Sequence, residues 1–190
     1  MAVLPEVRQA HGYISQPAAT YEHHGTMTGF NEVVNGTLYP AFRKYKWTTV
    51  PENNVKSFTK GYAKAGFSSL RSILDLIVTD CGATRIDVPA VDVTGLTSMK
   101  FQNDEDKKGL IPSHRGPREI WIDSKRAFHG DDCAAEFTGY PAVLPVDYSL
   151  CPPQKTCILR FYWLALHESL WQVYKQCVPI ERTGSAIVRR

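Results

Sequence analysis

The run from Cys157 to Cys177, CILRFYWLALHESLWQVYKQC, constrains the fold more than any other stretch. Ile158 to Leu166 reads as a central strand, rich in aromatic and aliphatic residues. His167-Glu168-Ser169 reads as a loop, and Trp171 to Val178 as the strand that returns beside the first. Gln172 and Tyr174 are two apart, so in a strand they share a face. If the loop folds back, His167 joins them. A His, a Gln and a Tyr on one side are costly to bury without a purpose. A hydrogen-bonded polar cluster under a sheet is the plainer reading of the same residues.

Around this pair the chain is a sequence of short segments. His11-Gly12-Tyr13-Ile14 begins a short strand that stops at Pro17. Tyr21 to Pro51 is rich in turns and aromatics and is expected as a long loop or several short pieces. Its aromatics are candidates either for stacking on sugar rings or for a satellite core. Ser68 to Cys81 has the one clear helical period, through Leu70, Ile73, Leu74, Ile77 and Val78, with Ser68 or Ser69 as cap and Gly82 as stop. Short runs at Ile86–Val88, Ser98–Gln102, Glu119–Asp123 and Val143–Val146 read as strands. The whole predicts a mainly β chain: an antiparallel β-sandwich with one or two helical insertions.

Five cysteines, Cys81, Cys133, Cys151, Cys157 and Cys177, form no C-x-x-C pair, so they fit disulfides of an oxidising compartment better than a zinc site. The sequon Asn35-Gly36-Thr37 agrees with secretion. Met1 to Ala10 lacks an apolar core and is expected to be the remnant of a leader, with cleavage after Ala10 making His11 the mature N-terminus. Residues 11–182 then form one domain, and Thr183 to Arg190 a tail. No run is long enough to cross a membrane. The net charge of +3 rules little out, and the lack of a Lys/Arg stripe interleaved with aromatics argues against nucleic acid.

Six histidines are present. His23, His24 and His129 are expected on the solvated surface. His114 differs, because Ile111-Pro-Ser-His-Arg-Gly-Pro117 is bounded by two prolines and can hold a side chain steady. An N-terminal His11 offers its α-amine and a ring nitrogen to one metal, and His114 would add a third nitrogen. Such a nitrogen-rich site suits Cu(II). The α-amine, with a pKa of about 7.7–8, yields its proton to copper readily.

Three blocks carry a resemblance to a known family: His11-Gly12-Tyr13; Ser113-His114-x-Gly116-Pro117-x-Glu119-x-Trp121-Ile122-Asp123; and Phe161 to Glu168 followed by Trp171 to Val178. They resemble the lytic polysaccharide monooxygenases, in particular the oomycete branch, auxiliary-activity family seventeen, and span His11 to Ile180. The resemblance implies an immunoglobulin-like sandwich with a flat copper face, and one copper held by His11 and His114 with Tyr174 axial. It implies that His167 and Gln172 hydrogen-bond an oxygen species there, and that Tyr174, His167 and Gln172 are the catalytic set. An external electron donor, a monomeric secreted chain and a plant cell-wall polysaccharide, pectin (homogalacturonan) first, are implied as well. A cysteine is expected where this chain has Arg118, so one cysteine should lack its partner. Cys81–Cys177 is the expected disulfide, and pairing among Cys133, Cys151 and Cys157 stays open. The competing readings are a non-catalytic secreted carbohydrate-binding or host-directed protein on the same fold, and a hydrolase using Glu168, for which no second carboxylate is marked.

Overall fold

A computed structural model describes residues 12–23 and 27–184. In chain order the elements are β1 (Tyr13–Gln16), β2 (Thr20–Tyr21), β3 (Glu32–Asn35), α1 (Pro51–Ala65), α2 (Leu70–Leu74), β4 (Thr84–Arg85), β5 (Val91–Asp92) and β6 (Ser98–Gln102). They continue with β7 (Arg118–Ile122), β8 (Lys125–Gly130), α3 (Cys133–Glu136), β9 (Ala142–Pro145), β10 (Cys157–Ala165) and β11 (Leu170–Glu181). The chain is mainly β, as its short alternating runs predict.

Two sheets make the sandwich. The smaller has the order β1-β6-β9, and the larger the order β3-β11-β10-β7-β8 with β5 added in parallel to β11. β10 and β11 pair antiparallel from Cys157↔Ile180 to Ala165↔Gln172. Because successive side chains alternate in a strand, Leu159, Phe161, Trp163 and Ala165 enter the core between the sheets. Tyr162 and Leu164 enter a second core with Leu166, on the outer face under α1 and α2. β10 is therefore covered on both sides, which is why its sequence shows no polar alternation.

α1 is a correction to the sequence reading, which places the one clear helix at 68–81. Pro51 opens it, Glu52 lies in its first turn, Lys64 in its last, and Gly66 ends it at φ +70°. Val55 and Phe58 pack against Trp171 and Phe42 in the outer core. α2 begins where expected, capped by Ser69, whose hydroxyl accepts from Ser72 N at 3.0 Å. It stops at Leu74 rather than near Cys81, and the chain continues in irregular turns to Val78. The tertiary pull is visible: Lys175 Nζ donates to Asp75 and to the Val78 carbonyl, both at 2.7 Å. The run Ile86–Val88 is not a strand; pairing with β2 stops at Arg85, and Ile86 is exposed. Of the 21–51 aromatics, Phe42 and Trp47 are buried in the outer core, while Phe30 is exposed.

Disulfides join Cys81 to Cys177, as expected, and Cys151 to Cys157, leaving Cys133 as a buried thiol. The tail expected from Thr183 is tied at its first residue, since Thr183 Oγ1 donates to Asp92 at 2.5 Å. Among the described residues no helix is long and apolar enough to cross a membrane.

Candidate functional site

The histidine loop is built onto the end of β10. Leu164 N donates to the Pro117 carbonyl at 3.1 Å and Leu166 N to the Arg115 carbonyl at 2.9 Å, so residues 115–117 lie along the strand as it leaves the sheet. Gly116 is required there: a Cβ would stand 1.9 Å from the Leu164 carbonyl oxygen. Pro112–His114 form a single 3-10 turn with proline at its first position. Trp163 Nε1 donates to the His114 carbonyl at 3.2 Å, so β10 fixes this turn from beneath.

His114 is largely buried, and its Nδ1 lies 2.9 Å from Ser113 Oγ. His167, from the loop between β10 and β11, lies over it, with ring centroids 4.1 Å apart and planes tilted by 37°. Asn54 on α1 sets the approach to that loop. Its amide donates to the Leu166 carbonyl at 2.6 Å and to the Trp47 carbonyl at 2.8 Å. Burial pushes the His167 pKa below its usual value, so the ring is neutral at pH 7. Among the described residues its Nδ1 is buried without a hydrogen-bond partner, an arrangement that a protein seldom leaves without an external partner.

Tyr174 and Gln172 share the inner face of β11, as their spacing predicts. Tyr174 OH donates to Gln172 Oε1 at 2.6 Å. That bond orients the amide, leaving the Gln172 NH2 as the donor end. Tyr174 is fully buried and stacks on Trp163 at 4.2 Å. Burial raises its pKa well above the usual range, so it remains a neutral phenol. His114 meets the same indole edge-on at 6.3 Å. The four sequence-predicted residues thus fall into two pairs, His114 with His167 and Gln172 with Tyr174, bridged by Trp163.

The fifth, His11, lies outside the described residues, and with it the expected brace. Its neighbour is held firmly. Gln176 Nε2 donates to the Gly12 carbonyl at 2.9 Å, and Gln176 Oε1 accepts from Ile14 N at 3.0 Å and from Tyr21 OH at 2.8 Å. A Cβ at Gly12 would stand 2.4 Å from the Phe101 ring. Among the described residues no three His, Cys, Asp or Glu side chains form a metal-binding group; the expected ligand set includes His11, which is outside that search.

Sequence reasoning gave no positioning role to Asn54, Ser113, Trp163 or Gln176, although the last three lie in the blocks that carry the resemblance. Arg118 was marked only as the residue standing where the resemblance implies a cysteine. Its guanidinium is fully buried, stands 4.2 Å over the Trp163 ring and faces the Cys133 thiol. Burial lowers its pKa to about 10, which leaves it charged, and raises the Cys133 thiol to about 11.

Two expectations are revised. His129 is not simply solvated, since its ring nitrogens lie 3.1 Å from the buried carboxylate of Glu119 and 3.0 Å from Asp131. Glu168 is mostly exposed, 3.6 Å from His167 Nε2, without the burial that makes a catalytic acid. His23 is exposed at the surface, and His24 lies outside the described residues. No protein-family model matches the chain. No curated protein matches it either.

Proposed function

We propose that this chain is a secreted copper-dependent oxidoreductase that breaks glycosidic bonds of an acidic plant cell-wall polysaccharide, pectin homogalacturonan first, by oxidising a carbon beside the bond. The observation that carries the reading is the His114–His167 ring pair, with the His167 Nδ1 buried and unsatisfied among the described residues. The residues fit the metal. Ser113 engages His114 Nδ1, so Nε2 is the nitrogen His114 would offer, with the ring oriented by a neighbour. Tyr174, a neutral phenol, would be a weak oxygen donor beside it. His11 would add its ring and α-amine.

When bound, copper supplies one-electron chemistry, taking electrons from an external donor and using O2 or H2O2 as co-substrate. This chain's own residues orient and exclude. Gln172, its oxygen tied down by Tyr174, presents N–H donors toward a polar oxygen group. His167, half-buried and with its pKa lowered by burial, offers a second ring beside His114. Trp163 and Tyr174 wall off water from below. The disulfides and the Asn35 sequon, with Asn35 exposed at the end of β3, agree with an extracellular setting.

The deciding experiment is a copper titration of chain processed to begin at His11, beside its His114→Ala variant. Tight one-to-one binding with an axial Cu(II) EPR signal, lost in the variant, is expected. Equal binding by both removes His114 from the ligand set. No binding by either removes the oxidative reading and leaves a non-catalytic carbohydrate-binding protein.

A further inference from the structure

The formal charge of +3 conceals a strong segregation. Between Glu32 and Asp75 the chain carries seven basic residues and one acidic, Glu52, so everything outside that segment is net negative. The structure gathers these charges. On α1, Asn54, Val55, Phe58 and Gly61 face the outer core. Lys56, Lys60 and Lys64, spaced by four, fall on the opposite side and are exposed. They form a row with about 6 Å of rise between successive charges. Lys44 and Lys46, on the turn that packs against α1 through Phe42, are exposed as well. Among the described residues none of these five lysines forms a salt bridge.

The row has two ends of different character. At the N-terminal end of α1, Glu52 is paired with Arg115, next to His114, and Asn54 holds the carbonyl that precedes His167. At the C-terminal end lies a cleft of about 510 Å³, lined by Tyr39, Pro40, Ala65 and Phe67 together with Lys44 and Lys64. Apolar and aromatic walls bearing two ammonium groups suit a sugar ring that carries a carboxylate.

We propose that the solvent face of α1, from Lys56 to the Lys44–Lys64 cleft, is a binding track for a linear polyuronate, leading one arm of the polymer away from the histidine pair. The proposal rests on, and deepens, the reading of an acidic polysaccharide as substrate. A single row of ammonium point charges matches a chain with one carboxylate per ring. The planar, bidentate arginine fork that favours phosphate is absent from the row. Burying no acidic partner, the track attracts its ligand by counterion release, so binding must weaken with salt.

The test is binding of polygalacturonate to the full chain, with copper and no reductant and again without copper, by calorimetry at two salt concentrations. Lys56→Gln/Lys60→Gln/Lys64→Gln is expected to lose about tenfold in affinity and to show a shallower salt slope. Its copper titration and melting temperature should match the parent. Lys107→Gln/Lys108→Gln, on the acidic hairpin, should bind as the parent does. Fully methyl-esterified pectin should not distinguish parent from triple variant. Unchanged affinity in the triple variant overturns the track. So does tighter binding of duplex DNA than of polygalacturonate, which would make the face a nucleic-acid site. Failure of copper to bind while the polymer still does sinks the oxidative reading and leaves the track standing.

Discussion

At the residue scale, Arg118 is the least comfortable side chain in the molecule. A charged guanidinium is fully buried with Nε and Nη2 lacking partners among the described residues, and Nη1 alone reaches the Gly116 carbonyl at 3.2 Å. The indole beneath it offsets part of that cost. The Cys133 thiol beside it has no disulfide partner. Arg118→Cys should therefore close a third disulfide with Cys133. Closing a loop of that length stabilises by about 3 kcal/mol on the chain-entropy view, less the cavity left by the shorter side chain. Thiol titration of the oxidised variant should find none, and its melting temperature should exceed the parent's; after reduction it should fall below. A titratable thiol in the oxidised variant would refute the pairing.

His129 yields a pH-dependent prediction at the same scale. The bond to Glu119 raises its pKa, against the effect of burial. A raised pKa adds stability that is complete below the unfolded value, about 6.5, and fades as pH rises through the folded value. His129→Gln should therefore cost more at pH 5.5 than at pH 9, by about 1 kcal/mol or less for a partly exposed ring. Melting curves at both values check this, and an equal loss would mean that the charge contributes nothing. The four candidate-site residues of the described chain were legible because two sit at strand spacing and two in loops bounded by unusual residues. Trp163 and Asn54 were not, because a buried Trp or Asn looks in sequence like any core or surface residue. Only a three-dimensional path shows that one floors the site and the other holds its loop.

At the element scale, the strands were readable and the main helix was not. Ser98–Gln102 coincides with β6, and Glu119–Asp123 with β7 to within a residue at either end, because period two survives wherever one face is buried. α1 does carry signals: Pro51, Glu52, then Val55, Phe58 and Tyr62 at helical spacing, then Gly66. They are diluted by polar residues, since only a narrow stripe meets the core. The opposite error at 68–81 arose because apolar spacing does not register the tertiary bonds that end α2 early. α1 also couples fold to site. Asn54 is wholly buried; its amide donates to the carbonyls of Leu166 and Trp47 and, at 3.5 Å, of Thr49, and its oxygen accepts from Thr49 Oγ1 at 2.6 Å. Asn54→Leu strands the Leu166 and Trp47 carbonyls and should cost about 2–4 kcal/mol. Because the Leu166 carbonyl is among them, copper affinity should fall in the folded variant as well. A variant that melts early yet binds copper as the parent does would show that α1 supports the sandwich without supporting the histidines.

At the scale of the molecule, the question is what holds the end of the sheet that carries Tyr174 when the N-terminal strand is so short. β1 has four residues and β2 two, and both reach β11 chiefly through Gln176. The Cys81–Cys177 bridge lies at the neighbouring position of β11, where Cys177 N also donates to Thr84 Oγ1 at 2.8 Å. It closes 96 residues, enclosing β6 and β9 of the smaller sheet and β10 of the larger, whereas Cys151–Cys157 closes only 6. On the chain-entropy view the long loop is worth about 4.7 kcal/mol and the short one about 2. Removing the first pair by Cys81→Ser/Cys177→Ser should therefore lower unfolding free energy by roughly twice as much as Cys151→Ser/Cys157→Ser. Denaturant titrations of the two double variants give the comparison directly. The long-loop variant should also lose hydrogen-exchange protection at Ile14, whose N–H donates to Gln176 Oε1, one residue from Cys177. Equal losses from the two variants would show that the sheets, not the bridge, hold β11 in register.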